Sequence, residues 1–308
     1  MKTMRNDAGF SLVELLISMV LVLVVFGGVT TALNKLANAQ RSIWNRTELH
    51  SGVRGATELL QQEVGQAGRV TLPAPVTLTT STSTLGSINP MVVTAGVSST
   101  TGMFVGLQLL IDAGDKLETV TISSMTSTTI TGTFVGQQTH ALGAAVSAQG
   151  GFSTGIVAPS MTNGSTGSLL KLYGDINADG SMVYVEYKCD TTAHNLYRNV
   201  MAWNAASKPA VTSAQILLSN IVDNPGGTPC FTYQTAVVGS DTYVLDVAIT
   251  LTVQTQQRDP VTKLFQTETK ALLNVAPRNV FNTWELASIG LTNRVQPMPP
   301  TVALLLPG

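Results

Sequence analysis

The stretch GFSLVELLISMVLVLVVFGGV, Gly9 to Val29, decides how the rest of the chain is read. From Phe10 to about Ala32 the residues are almost continuously apolar. At ~1.5 Å per residue, such a run crosses the ~30 Å of hydrocarbon in a bilayer. It starts behind a short polar segment, Met1 to Gly9, and no A-x-A-like cleavage site immediately follows Val29. This differs from a secretory signal, which is removed by a cut behind its apolar core. The helix is therefore expected to stay attached as an anchor. Lys2 and Arg5 favour a cytoplasmic N-terminus and send everything after the helix to the opposite side. One residue fits the anchor badly. Glu14 places a carboxylate in the first turn, where an unpaired charge in hydrocarbon costs roughly 3 kcal/mol. Either it lies near the interface and stays hydrated, or it has a partner.

Apolar residues continue at helical spacing after the span, at Leu33, Ala37, Trp44, Leu49, Val53, Ala56, Leu60, Val64 and Ala67. Steps of three and four predict one amphipathic helix that ends near Gly65 to Gly68, with mixed charges on its outer face. Phe10 to Gly65 would measure roughly 80 Å. Gly52 and Gly55 allow a bend or a close approach. Beyond Pro73 the composition turns to Thr, Val and Gly. VTLTTSTSTLGS and LETVTISSMTSTTITGTFVG read as short strands and hairpins, and MVYVEYKC, NLYRNVMAW and CFTYQT as further strands. In YVLDVAITLTVQTQQ, Leu245, Val247, Ile249, Leu251 and Val253 share one face of a half-buried strand. RDPVTK makes a turn after it, and LFQTETKALLNVAP returns antiparallel. The organisation expected is a leader over 1–9, a membrane segment over 10–32, a helical continuation over 33–68 and a β-rich head over 69–290. An inserted lobe is expected at about 105–150, and VQPMPPTVALLLPG, within 291–308, is expected to be a loosely held tail.

With 308 residues the chain can bury a sizeable core, and with 11% charged residues and a formal charge of −1 it has no field that would gather nucleic acid. The two cysteines, Cys189 and Cys230, form one disulfide if the head lies in an oxidising compartment, or remain two buried thiols.

DINADGSMVYVE fits the calcium-loop spacing with Asp175, Asn177, Asp179, Gly180 and Glu186. The residues after Gly180 alternate as a strand, which carries Glu186 away. Two readings remain: a hairpin loop that holds a calcium ion with Asp175, Asn177 and Asp179, or a turn in which the same side chains bond nearby amides. No cofactor is otherwise required. GFSTG, Gly151 to Gly155, has the spacing of a hydrolase nucleophile elbow, but no helix pattern follows it and His194 is the only later histidine. It reads as a flexible Gly/Ser loop. His50, His140 and His194 lack ligand spacing and are expected at surface or satisfied positions. Trp284, within RNVFNTWEL, is expected to pack on the sheet, with partner contact as the alternative. No enzymatic role is expected.

GFSLVELL resembles the class III signal of the prepilin family, which includes type IV pilins and the pseudopilins of type II secretion. The resemblance implies cleavage by a prepilin peptidase after Gly9, methylation of the new N-terminus at Phe10, and an α-amino partner for Glu14 from a neighbouring subunit. Two opposite charges brought together in hydrocarbon offset much of each other's penalty, so Glu14 would fix subunit register. The implied fold is α+β, type IV pilin-like: a long N-terminal helix packed on an antiparallel β-sheet head. RGATELLQQEVGQAGRV, DINADGSMVYVEY, NLYRNV and ALLNVAPRNV are most similar to PilW-type minor pilins, and minor pseudopilin J is similar in layout. The resemblance implies a bacterial inner-membrane protein with a periplasmic head that later enters the pilus. Its partners would be minor and major pilins, the assembly platform and, before assembly, membrane lipid. The competing reading is a single-pass anchored adhesin that never assembles.

Overall fold

The computed structural model describes residues 11–82, 91–134 and 138–307. It opens with one helix, α1 (Leu12–Gln66), whose 55 residues give it a length of about 80 Å. No proline interrupts it. Gly52 meets Leu218, whose methyl would lie 3.2 Å from an added Cβ, whereas Gly55 faces open space. Gly52 thus serves close packing, and neither glycine breaks the helix. At the far end Gly68 takes a φ of +81°, and its amide donates to the Tyr173 carbonyl at 2.9 Å. The Asn279 side-chain amide donates to the Gln66 carbonyl at 3.0 Å, so carbonyls left unpaired by the last turn find partners outside the helix.

Only the second half of α1 is covered. Val53, Ala56, Thr57, Leu60, Glu63 and Val64 are buried at helical spacing. Trp44, expected on the same stripe, is 75% exposed because it lies on the opposite side of the helix from Ser42 and Arg46, whose side chains meet the head.

The next six strands form a lobe: β1 (Val76–Thr77), β2 (Met91–Gly96), β3 (Gln108–Ile111), β4 (Glu118–Met125), β5 (Thr129–Phe134) and β6 (Ala145–Ala148). They make one antiparallel sheet in the order β1-β6-β3-β4-β5-β2. The extra lobe therefore begins about thirty residues before the expected position 105, because β1 and β2 supply its two edges. After the short β7 (Gly151–Phe152), β8 (Leu169–Gly174), β9 (Val183–Asp190), β10 (Asn195–Ala202) and β11 (Ile216–Ser219) make a four-stranded antiparallel sheet. A second one contains β12 (Ile221–Val222), β13 (Phe231–Val238), β14 (Asp241–Gln254) and β15 (Thr267–Val275).

The α1 stripe packs where these two sheets meet, against Leu170, Leu172, Val185 and Tyr187 on one side and Val247, Ile249 and Leu251 on the other. Cys189 of β9 and Cys230, just before β13, form a disulfide across the same seam with a Cα–Cα distance of 6.4 Å. Closing the 41-residue separation contributes about 4 kcal/mol on a loop-entropy account.

Two expectations are corrected. Leu245 does not share the face of Val247 and Ile249: Gln234 pairs with Asp246 and Thr235 with Val244, so Leu245 is the extra residue of a β-bulge. Val244 takes the inward place, and Leu245 turns toward α2 (Arg278–Ser288). The C-terminal segment is not loosely held. β16 (Val295–Gln296) pairs in parallel with β7, and the short α3 (Pro300–Leu305) buries Val302 and Leu305, with Leu306 just after it, in the core of the lobe. The prolines that suggested a loose end set the entry to α3, with Pro300 in its first turn.

A charged group lies inside the α1 interface. The Glu63 carboxylate accepts bonds from the Tyr187 hydroxyl and from the Arg198 guanidinium, and Glu63 is 3% exposed. Glu63→Ala would leave Arg198 unpaired. Because that side chain keeps 26% exposure, the expected loss is about 3 kcal/mol, the lower end for a broken buried pair. Urea denaturation of the detergent-solubilised full chain measures it; a loss under about 1 kcal/mol would show that the pair does not hold α1 to the sheet.

Candidate assembly interface

The first half of α1 is long and apolar enough to cross a membrane, and its apolar window has no buried share. From Leu12 to Phe26 every large aliphatic or aromatic side chain is exposed. The hydroxyls of Thr30 and Thr31 fold back onto the carbonyls of Phe26 and Gly27 at 2.7 and 2.8 Å, which satisfies them without water. This surface buries nothing in a single chain, so its partner must be lipid, another helix, or each in turn.

Ser11 and Glu14 open the helix together. Ser11 has extended backbone angles, its Oγ accepts from the Glu14 amide at 3.2 Å, and its own amide donates to Glu14 Oε2 at 3.2 Å. This reciprocal capping box satisfies two amides that the first turn leaves unpaired. Ser11 was not among the residues singled out from the sequence, although the spacing Ser11-x-x-Glu14 before an apolar run is the pattern of such a cap. Gly9 and Phe10 lie outside the described residues.

Residues 4–30 match the prokaryotic N-terminal methylation motif. The chain carries a type IV prepilin-like class III signal. Neither the curated proteins nor the solved structures gave a match. A signal of this kind belongs to pilin-like or pseudopilin proteins, and it implies processing by a prepilin peptidase and assembly with other pilins in general. Together with the apolar helix it fits anchoring in the inner membrane.

Most of the remaining candidates have partners within the chain. Asp175, 1% exposed, sits in the turn between β8 and β9, accepts from the amides of Asp179 and Gly180 at 3.0 and 3.4 Å, and faces Arg69 at 3.6 Å. Asp179 accepts from the Ser181 amide at 2.8 Å, and Asn177 is exposed. Glu186 points to Tyr184 and Lys208. Asp175 and Asp179 thus bond amides of their own turn.

GFSTG is no flexible loop: every residue from Gly151 to Gly155 is buried, and a Cβ on Gly155 would come within 2.2 Å of Gly68. The glycines let two backbones cross beneath the end of α1. No histidine serves Ser153. His50 is paired with Glu268, and His194 Nδ1 bonds the Ile221 carbonyl. His140, fully buried in the lobe, lies between Asp112 at 3.2 Å and Glu118 at 3.0 Å. The His140 bond holds the Asp112 carboxyl below its ordinary range. Trp284 lies tilted against Phe281, ring centroids 5.3 Å apart, and joins a cluster with Tyr243, Val238 and Leu245 of the sheet.

One joint escaped the sequence reading, which took RDPVTK as a simple turn. Ser42 Oγ of α1 donates to Asp259 Oδ2 at 2.8 Å, and Arg46 donates to Gln266 at 3.1 Å. Asp259 also accepts from the amides of Val261 and Thr262, both at 2.8 Å. These bonds, from Thr262 first and then Ser42, hold its carboxyl down at about 2. A folded-state pKa below the unfolded value of about 3.9 means that the joint is fully stabilised above that pH and loses its contribution as pH falls toward 2. The carboxyl carbon shift of Asp259 is expected to titrate near 2. Ser42→Ala should raise the midpoint toward the ordinary range, and an unchanged midpoint would remove Ser42 from the joint.

Proposed function

We propose that the chain is a minor pilin of a type IV pilus, cleaved after Gly9, methylated at Phe10, and active in priming filament assembly from a place at the tip. The observation that carries this reading is the methylation motif at residues 4–30 joined to a helix half that buries none of its apolar surface within one chain. Such a surface is stable in lipid and equally stable in a helical bundle, so a subunit can pass from one to the other. The head supports the tip. It carries a six-stranded lobe beside the two sheets that hold α1, and a subunit repeated every few ångströms along a shaft has little lateral room for that bulk.

In this reading Glu14 has two states. In the stored subunit its carboxylate bonds the Ser11 amide. On entry into a filament it turns to the methylated α-amino group of Phe10 on a neighbouring subunit, and a subunit out of register leaves both charges unpaired in an apolar bundle. The head faces the periplasm, and the inner-membrane assembly platform and sister pilins are the partners.

Mass spectrometry of the purified protein is expected to find Phe10 as a methylated N-terminus, and an intact Met1 would overturn the reading. Two substitutions then separate the roles of Glu14. Glu14→Gln keeps a side chain that can cap Ser11 but loses the charge. Both Glu14→Gln and Glu14→Ala should insert in the membrane and fail to enter filaments, as measured by immunoblots of sheared pili. Normal incorporation of Glu14→Gln would rule out charge pairing.

A further inference from the structure

We infer that the tip of the β14–β15 loop, Val261 to Phe265, rests on the anionic headgroup surface of the membrane that α1 enters. The inference depends on the reading of α1 as a membrane span and concerns a different part of the chain.

Position comes first. The hydrocarbon segment ends near Ala32. An open cleft between α1 and the loop is lined by Lys35, Asn38 and Ala39 on the helix and by Val261 and Thr262 on the loop. On the helix the cleft extends from Lys35 to Arg46, so its membrane-proximal edge begins three residues beyond Ala32, about 5 Å past the hydrocarbon along the helix axis. A headgroup layer occupies about 5–8 Å on each side of the hydrocarbon. The near edge of the cleft therefore reaches the outer part of that layer.

The loop is also held there. Besides the Ser42 and Arg46 bonds to α1, Asp259 and Leu264 close the loop backbone at 2.8 Å, and Lys263 and Asp259 at 2.9 Å. A tip pinned in this way presents fixed side chains. Val261 is 73% exposed, Leu264 69% and Phe265 41%, with the Arg258 guanidinium 5.2 Å from the Phe265 ring centre.

Charge selects the occupant. The chain as a whole carries −1, yet this end gathers Lys35, Arg41 and Arg46 from α1 and Arg258 and Lys263 from the loop. Two carboxylates stand among them, Glu48 one turn farther from the membrane and Asp259, whose oxygens bond Ser42, Gln266 and the loop's own amides. Apolar side chains beside basic ones, at headgroup depth, suit anionic lipid better than a second protein surface. The contact would orient the head before assembly and would have to be released when the helix leaves the membrane.

The test uses the full chain, in which Cys189 and Cys230 are bonded to each other, so that an added cysteine is the single free thiol. Val261→Cys, Val237→Cys and Val22→Cys are each labelled with a fluorophore. They are reconstituted in phosphatidylglycerol–phosphatidylcholine vesicles that carry nitroxide lipids. Val237 is exposed at the opposite end of β14 from the loop. Headgroup nitroxide should quench the Val261→Cys label several-fold more than the Val237→Cys label. The excess should fall in pure phosphatidylcholine or when Arg258→Gln and Lys263→Gln are added. Equal quenching at Val261 and Val237, with Val22→Cys quenched by nitroxide deep in the acyl chains, overturns the docking alone. Loss of the Val22→Cys signal overturns the span and the docking with it. Shielding of Val261→Cys that grows with protein density and ignores lipid charge assigns the loop to a neighbouring copy and also overturns the proposal.

Discussion

The stripe of Val53, Ala56, Leu60 and Val64 is buried where two antiparallel sheets meet, and the rest of the head is arranged around that contact. Neither sheet covers the helix alone: Leu170, Val185 and Tyr187 come from one, Ile249 and Leu251 from the other. A sheet with one apolar face must bury it, and here the helix does this for both. The disulfide and the Glu63–Arg198 pair lie at the same seam, so a covalent link, an ion pair and apolar packing all restrain one relative placement of helix and sheets. The lobe is held more indirectly. Gln296, fully buried, bonds the backbone of Gln108 and of Gln149, and α3 fills the lobe core from the C-terminal side.

The division of α1 follows from this arrangement. Residues up to about Ala32 have the same helical geometry as those after Val53, but no sheet lies against them, and their side chains are large and apolar where a solvated helix would be polar. One continuous helix therefore joins an inert anchor to a packed core element. Any tilt of the anchor is passed to the head without a flexible linker, and the Ser42–Asp259 joint is the point where the head first grips it.

How much of this was legible in the sequence differs with the kind of interaction. The α+β architecture, the length of α1 and the β14–β15 hairpin were legible because they rest on local periodicity that one strand or helix reveals by itself. The pairing of Cys189 with Cys230 followed from there being two cysteines, given an oxidising compartment. Leu245 was misplaced because a bulge is decided by the partner strand, not by alternation within β14. The tail was misread because its prolines carry a local signal of looseness, whereas the burial of Val302 and Leu305 depends on a lobe formed two hundred residues earlier. His140 between Asp112 and Glu118 likewise joins residues that no spacing rule connects.

Glu14 drew attention first as a charge without a reason, and the capping box changes what has to be explained. A helix that begins inside or beside an apolar phase has amides with no water to bond, so the first turn needs an acceptor in any case. Glu14 supplies it to Ser11 at 3.2 Å. The carboxylate is thus already useful in a lone chain, and a role in assembly requires only that a stronger, charge-assisted partner compete for the same oxygen. On the proposed function, the stored subunit and the assembled one would then differ by an exchange of acceptor bonds at one residue. An exchange of this kind leaves no carboxylate bare in hydrocarbon at the start or at the end.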